Sequence, residues 1–197
     1  MDIIVGFVLF GLVLLIIYQL YISTFLVYQN VNDRLAVQQG VRLALDRIAA
    51  ALHETTLAFG RVRVYAARDG CTDAYEGCIG FVTAREGQCT GIFQLVNGAP
   101  DWRAVIYVWR DTASHELRLR CEEGVTFPVE TWPPRPGPYA VIGTHVAAAA
   151  FTLQPGGDPT PTSVTVALEE EAPTASGAAS GSAVHAFSQT VFMPQNP

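Results

Sequence analysis

The hydrophobic pattern of the chain is dominated by its N-terminal part, from Met1 to about Thr55. No charged side chain lies between Asp2 and Asp33, and Ile3–Ile17 is entirely apolar. An apolar run of about 25 residues, at a rise of about 1.5 Å per residue, matches a hydrocarbon core of about 30 Å. Because a backbone in lipid must satisfy its own hydrogen bonds, this run predicts a membrane-spanning helix. Its representative apolar positions are Ile3, Phe7, Phe10, Val13, Ile16 and Leu20.

Beyond Asn30 the apolar residues thin to a single stripe. Its members are three or four positions apart, as expected of a helix with one buried face. No proline occurs before Pro100, and Gly60 stands where a helix C-cap is expected. The pattern therefore predicts one unbroken helix of about 55 residues and about 80 Å, whose second half lies on a folded head. The stripe consists of Val31, Leu35, Val41, Leu45, Ile48 and Leu52, with Gln38 in its gap, and Leu45, Ile48 and Leu52 are expected to contact the head.

Alternating polar and apolar residues predict an antiparallel β-sheet after the helix, so the predicted fold class is α+β. The clearest hairpin joins Trp102–Trp109 to Glu116–Cys121, and its alternation is typical of a sheet with a single wet face. Prolines exclude Thr131–Tyr139 from a sheet interior, and Glu169–Ser182 has the composition of a loop. A loop is also predicted over Arg68–Cys78, and the other predicted strands are Arg61–Ala66, Ile79–Thr83, Gly91–Val96, Ala147–Leu153, Ser163–Leu168 and Val184–Phe192.

All four cysteines lie in the predicted head. Their spacing contains no C-x-x-C pair, which disfavours zinc, and two disulfides in an oxidising compartment are expected instead. Three connectivities are open. The interpretation favours Cys71 with Cys78 and Cys89 with Cys121.

The charges give a conflicting indication of orientation. Arg34, Arg42 and Arg47 follow the apolar run and nothing basic precedes it, so the positive-inside rule places the head in the cytoplasm. The cysteines favour the opposite side. A removed basic leader would reconcile the two, since it would supply positive charge before the run.

The head offers little catalytic or ligand-binding chemistry. The chain has a formal charge of -6, which argues against nucleic acid as a partner. No nucleophile, phosphate-binding or dinucleotide motif is present, so neither an enzyme nor a cofactor is predicted. Asp69, Asp73 and Glu76 could ligate calcium, but they lack the ordered spacing of a calcium loop. Ordinary surface or packing roles are expected for His53, His115, His145 and His185, a wet sheet face for Arg118 and Arg120, and core or partner contacts for Trp102, Trp109 and Trp132.

Two parts of the chain resemble the type IV pilin-like proteins of pili and type II secretion systems. The segment QQGVRLALDRIAAAL, Gln38–Leu52, is similar to the stretch of minor pilins and J-type pseudopilins where the long helix meets the head. The C-terminal segments resemble the closing strands of W-type minor pilins. They are HVAAAAFTL (His145–Leu153), SVTVAL (Ser163–Leu168) and AFSQTVFMPQNP (Ala186–Pro197).

The resemblance implies a lollipop-shaped subunit. Residues 1–30 would form the membrane and filament-core half of the helix, and residues 31–197 the head, built on 31–57 and a β-rich region 61–197. It also implies other pilin or pseudopilin subunits, an inner-membrane assembly platform and membrane lipid as partners. The head would lie outside the cytoplasm, in an extracellular or periplasmic filament. The family's glutamate at the fifth mature position has no counterpart, whether that position is Val5 or Gly11, which favours a tip or minor position.

Other functions are compatible with the same pattern. A singly anchored module that displays its head to bind a ligand is the main rival, and an enzyme ranks third. The helix could also be a plain membrane span, or a coiled-coil dimer through the stripe after Asn30. Gly6 and Gly11 are five positions apart and do not form a small-xxx-small dimer motif.

Overall fold

A single α-helix, α1 (Asp2–Glu54), extends through 53 residues without a break. The computed structural model describes residues 2–55, 61–66, 70–72, 75–87, 89–124, 137–155, 161–171 and 184–192. At the standard rise α1 is about 80 Å long. The prediction of one unbroken N-terminal helix is therefore confirmed, and so is the coarse α+β class.

The helix ends at Glu54, before the expected cap at Gly60, which lies outside the described residues. Thr55 terminates it: the Thr55 backbone N–H donates to Leu52 O at 3.0 Å. The Thr55 hydroxyl donates to Val82 O at 2.8 Å and lies 3.2 Å from Ala51 O. The backbone N–H thus satisfies one of the orphan carbonyls at the helix end, and the buried hydroxyl attaches that end to the sheet.

The described head contains ten strands in three antiparallel sheets. A five-stranded sheet has the order β1-β2-β5-β6-β7, a three-stranded sheet the order β10-β9-β8, and β3 pairs with β4 alone. The single predicted sheet is thus divided into two larger ones. The strands are β1 (Val62–Tyr65), β2 (Tyr75–Thr83), β3 (Leu95–Val96), β4 (Ala99–Pro100), β5 (Ala104–Asp111), β6 (Glu116–Glu123), β7 (Ala140–Gly143), β8 (Val146–Pro155), β9 (Pro161–Glu171) and β10 (Val184–Phe192).

Most predicted strands are present, and the differences have local causes. Tyr75–Cys78, predicted as a loop, begins β2, because the pairing with β5 continues past a bulge between Glu76 and Ile79. Gly91–Val96, predicted as one strand, supplies only β3 and an isolated bridge from Phe93 to Arg85. The short strands β4 and β7 were not predicted, because two and four residues show no clear alternating pattern.

The predicted loop Glu169–Ser182 is wrong at its start. Glu169–Glu171 end β9, where they pair with Val184–Ala186 of β10, and residues 172–182 lie outside the described part.

One glycine determines how the two larger sheets meet. Gly77 has φ +58°, and a Cβ built on it would lie 2.3 Å from Ala149 O in β8. No other residue fits a backbone approach of this kind. The close contact brings the three-stranded sheet against β2.

The main core lies between the second half of α1 and both larger sheets. It joins Ile48 and Leu52 of the helix to the inner face of the five-stranded sheet, through residues such as Phe81, and to the three-stranded sheet, through residues such as Val166. Each of these side chains is almost completely buried. The helix is therefore the central element of the head's core.

The outer face of the five-stranded sheet is not the wet face that the sequence predicted. Tyr65, Val105, Tyr107 and Trp109 form a second buried cluster there, together with the Cys71–Cys78 bridge. Guanidinium groups stack on the aromatic rings at its margin, which removes apolar surface from water while keeping the charge solvated. Arg61 lies 4.5 Å from the Trp102 ring, Arg63 5.3 Å from Tyr65 and Arg118 4.3 Å from Tyr139.

Candidate functional site

The first half of α1 is an exposed apolar surface. No described side chain from Ile4 to Ala36 is buried, and the large apolar ones have exposed fractions from 39% at Ile22 to 73% at Phe7. This segment therefore projects from the head as a free rod of about 50 Å. Exposed apolar surface of this extent marks contact with another protein or with a membrane.

The apolar part of the rod is long enough to cross a bilayer. Within the described residues, α1 is the one helix long and apolar enough to cross a membrane. Its polar groups are few, and Ser23 donates its hydroxyl to Leu20 O at 2.9 Å within the same helix. Phe10, Val13, Ile16 and Leu20 all lie on this exposed segment, whereas the Ile3 side chain is outside the described part.

The second half of α1 buries one face in the head. Leu45 is 6% exposed, and Ile48 and Leu52 are completely buried. The buried face begins at Val41, about three turns later than the stripe from Val31 predicts. Val31 and Leu35 remain half exposed, so the free rod is longer than the sequence indicates.

An ion pair attaches the end of α1 to the loop after β2. Arg85 donates Nε to one oxygen of Glu54 at 2.7 Å and Nη2 to the other, and its Nη1 donates to Gly91 O at 2.9 Å. The hydrogen bond to Glu54 raises the pKa of Arg85. A bidentate pair of this kind adds orientation as well as energy.

Two disulfides close loops of the head. Cys71 is bonded to Cys78 and Cys89 to Cys121, the connectivity that the sequence favoured. The second bridge joins the loop after β2 to β6, across 32 residues of sequence. It therefore restrains the same loop that Arg85 attaches to the helix.

The most exposed large apolar side chains of the described head beyond α1 lie in the hairpin β3–β4 and just before it. Asn97 and Gly98 form its turn with φ 54° and 81°, as the Asn-Gly dipeptide favours. Ile92 is 77% exposed, and Leu95 and Val96 are more than half exposed. Phe93 and Trp102, in edge contact at 6.4 Å between ring centroids, fix the base of the hairpin.

Glu76, considered above as a calcium ligand, has a structural partner. Glu76 pairs with Arg110, which is buried and also donates Nε to Val146 O at 2.6 Å. Asp69, Asp73 and Trp132 lie outside the described residues. No three His, Cys, Asp or Glu side chains in the described ranges are grouped so as to hold a metal ion. The buried Arg110 has no sequence signal, because its role depends on a carbonyl from β8.

Known proteins give no further indication. No protein-family model matches the chain, and neither a curated protein nor a solved structure does.

Proposed function

We propose that this chain is a structural subunit of a type IV filament, a minor pilin or pseudopilin of a pilus or of a type II secretion-like system. One observation carries the proposal. A single continuous helix is exposed and apolar along its first half, while its second half is the core element of a disulfide-bonded β-rich head. The resemblance of Gln38–Leu52 and of the C-terminal strands to pilin-like proteins supports the same function.

The proposed mechanism is an exchange of apolar environments. Before assembly, lipid surrounds the rod from Ile3 to about Val27. During assembly the rod leaves lipid and contacts the equivalent helices of other subunits. Lipid tails and helices are similarly apolar, so burial from water contributes little, and close packing has to provide specificity. The resemblance implies that an inner-membrane assembly platform supplies the work.

The proposed position in the filament is minor or terminal. In the family, the fifth-position carboxylate pairs with the N-terminal amine of a neighbour inside the apolar bundle. An unpaired carboxylate there would be costly, so a subunit without it suits a place where no such amine arrives. The disulfides favour a head outside the cytoplasm, in the periplasm or on the cell surface.

Fractionation of filaments tests the proposal. Val13→Arg places a charge in the middle of the apolar rod, at a cost of about 3 kcal/mol in a membrane helix. We expect this variant to be absent from sheared filaments. Ala36→Arg is the matched control, since it adds the same side chain at an exposed position beyond the apolar run. Normal incorporation of Val13→Arg, or absence of the unmodified chain from filaments, would contradict the proposal.

A second candidate function is a singly anchored binding module. The exposed side chains of Leu95 and Val96 in β3, and of Ile92 just before it, favour this function, because exposed apolar side chains grouped on a head are typical of contact surfaces. In this case the chain would remain in the membrane fraction, and replacement of the three side chains by serine would abolish ligand capture without affecting membrane association.

A further inference from the structure

The aromatic residues of α1 all lie on one side of the helix. The helix contains six: Phe7, Phe10, Tyr18, Tyr21, Phe25 and Tyr28. At about 100° per residue they fall within a sector of about 80° around the helix axis. All six are exposed, and the Tyr21 and Phe25 rings are stacked with centroids 6.3 Å apart. They form an aromatic face along the free rod, in two groups separated by the segment between Phe10 and Tyr18.

The aromatic face points away from the head. The residues that contact the core, centred on Val41, Ile48 and Leu52, occupy the opposite side of the helix, about 180° from the aromatic sector. Along that head side the rod carries aliphatic side chains such as Leu12 and Ile16 together with the polar Ser23 and Asn30, and no aromatic ring. The two sides of the rod therefore differ in their aromatic content, and the aromatic side is the one that the head leaves accessible.

Lipid alone does not explain a one-sided distribution. A bilayer surrounds a lone helix uniformly, so a belt of interfacial tyrosines has no preferred side. Phe7 and Phe10 also lie close to the N-terminal end of the rod, far from the tyrosines. A second helix, by contrast, contacts the rod along one side only, so packing against it accounts for large rings on that side alone.

The spacing of the face is that of a parallel helix pair. Tyr18, Tyr21, Phe25 and Tyr28 follow steps of three, four and three, and Phe7 lies eleven residues before Tyr18. These are a and d positions of one heptad frame, with Phe10 at the flanking g position. Gly11 and Leu14 fill the a and d positions between the two groups. This heptad frame is not that of the stripe after Asn30, whose residues from Val41 onwards pack against the head.

We propose that the aromatic face is the docking surface for the same face of a second copy of this chain, in parallel orientation within the membrane. The inference rests on the proposed function and deepens it, since it specifies which side of the rod contacts a sister helix. The heads then lie on the outside of the pair, because each head is attached to the opposite side of its helix.

Single-cysteine crosslinking of the full chain in phosphatidylcholine vesicles tests the proposal. The native cysteines are all paired in disulfides, so an introduced thiol is the one available to a membrane-permeable oxidant. Tyr21→Cys and Phe25→Cys lie in the face, and Ser23→Cys and Val27→Cys, two residues further on, are the matched controls outside it. Each variant is first shown to resist alkaline extraction from the vesicles.

We expect about tenfold more disulfide-linked dimer at positions 21 and 25 than at 23 and 27, since only the former come within the Cα separation that a disulfide requires. Equal yields at all four positions, higher yields at 23 and 27, or no dimer at any position would overturn the inference. Filament fractionation distinguishes this failure from that of the proposed function. If the unmodified chain enters filaments but the cysteine variants show no periodic crosslinking, the proposed function stands and docking through the aromatic face is refuted.

A second measurement separates contact from mere proximity. In a Leu14→Cys background, Tyr21→Ala combined with Phe25→Ala should reduce the dimer yield about tenfold, because each removed ring deletes interhelical packing. Ser23→Ala combined with Val27→Ala should leave the yield unchanged. An equal loss in both double variants would contradict docking through the rings.

Discussion

The two halves of α1 have the same secondary structure, yet they face different surroundings. Leu43 and Leu45 show the contrast within the second half, since Leu43 is 53% exposed and Leu45 is 6% exposed. In the first half every described side chain is exposed. The distribution of apolar residues around a helix therefore indicates what the helix contacts. Apolar residues on all sides indicate lipid or a helical bundle, and a single apolar stripe indicates packing on a folded head.

The largest expected effect is a charge placed on the buried stripe. Leu45→Asp should destabilise the head by about 5 kcal/mol, because it removes core packing and buries a carboxylate. Leu43→Asp introduces the same side chain two residues away on the exposed side, and should change stability by less than about 1 kcal/mol. Denaturant unfolding of the full chain in detergent, followed by near-ultraviolet circular dichroism, measures both. Equal effects would show that the head does not contact this face.

The next effect concerns the covalent closure of the head. Replacing Cys89 and Cys121 by serine opens a loop of 32 residues and should cost about 4 kcal/mol, whereas replacing Cys71 and Cys78 opens a loop of 7 and should cost about 2.5 kcal/mol. Thermal unfolding of the oxidised proteins tests the order. The far-ultraviolet helical signal of the rod should persist in both variants. Its loss would mean that the first half depends on the head.

A smaller effect is expected at the ion pair between the helix end and the loop. Arg85→Gln should destabilise the head by about 1 kcal/mol, because it removes a bidentate, partly buried pair with Glu54. Arg103→Gln is the matched control, since its partners Asp101 and Glu86 hold it on the surface. Denaturant midpoints compare them. A larger loss for Arg103→Gln would contradict the attachment of α1 through Arg85.

The smallest effect is a pH dependence at the turn between β5 and β6. Burial opposes ionisation of Asp111, but hydrogen bonds from Ser114 and Ala113 and the charge of Arg118 outweigh it and lower the pKa of Asp111. Because the folded-state pKa is lowered, the ionised Asp111 stabilises the fold at pH values above its ordinary pKa of 3.8. This stabilisation is lost as the pH falls through the folded-state pKa. Melting temperatures should therefore fall below about pH 4 by more in the unmodified chain than in Asp111→Asn. Identical profiles of melting temperature against pH would show that Asp111 makes no such contribution to stability.

Elements with long, regular sequence patterns could be predicted from the sequence. Short strands and contacts between distant segments could not. The continuity of α1 follows from an uninterrupted apolar run and from the absence of proline, and the paired strands β8 to β10 follow from alternation. β7 is four residues long, and its pairing with β6 is set by tertiary contacts. The buried outer face of β5 escaped prediction, because Trp109 is covered by Tyr75 and Tyr139 from distant segments. The late onset of helix burial depends on the size of the head, which no local pattern encodes.

The distance between two spin labels across the junction of the halves tests the central claim most directly. Leu20→Cys and Leu43→Cys place labels on exposed positions on either side of the transition, in a chain whose native cysteines are all bonded. With one chain per lipid nanodisc, pulsed electron resonance should give one narrow distance near 35 Å, since 23 residues of continuous helix span about that length. A broad distribution, or a distance well below it, would show that the rod bends or breaks between membrane and head, and would contradict the account.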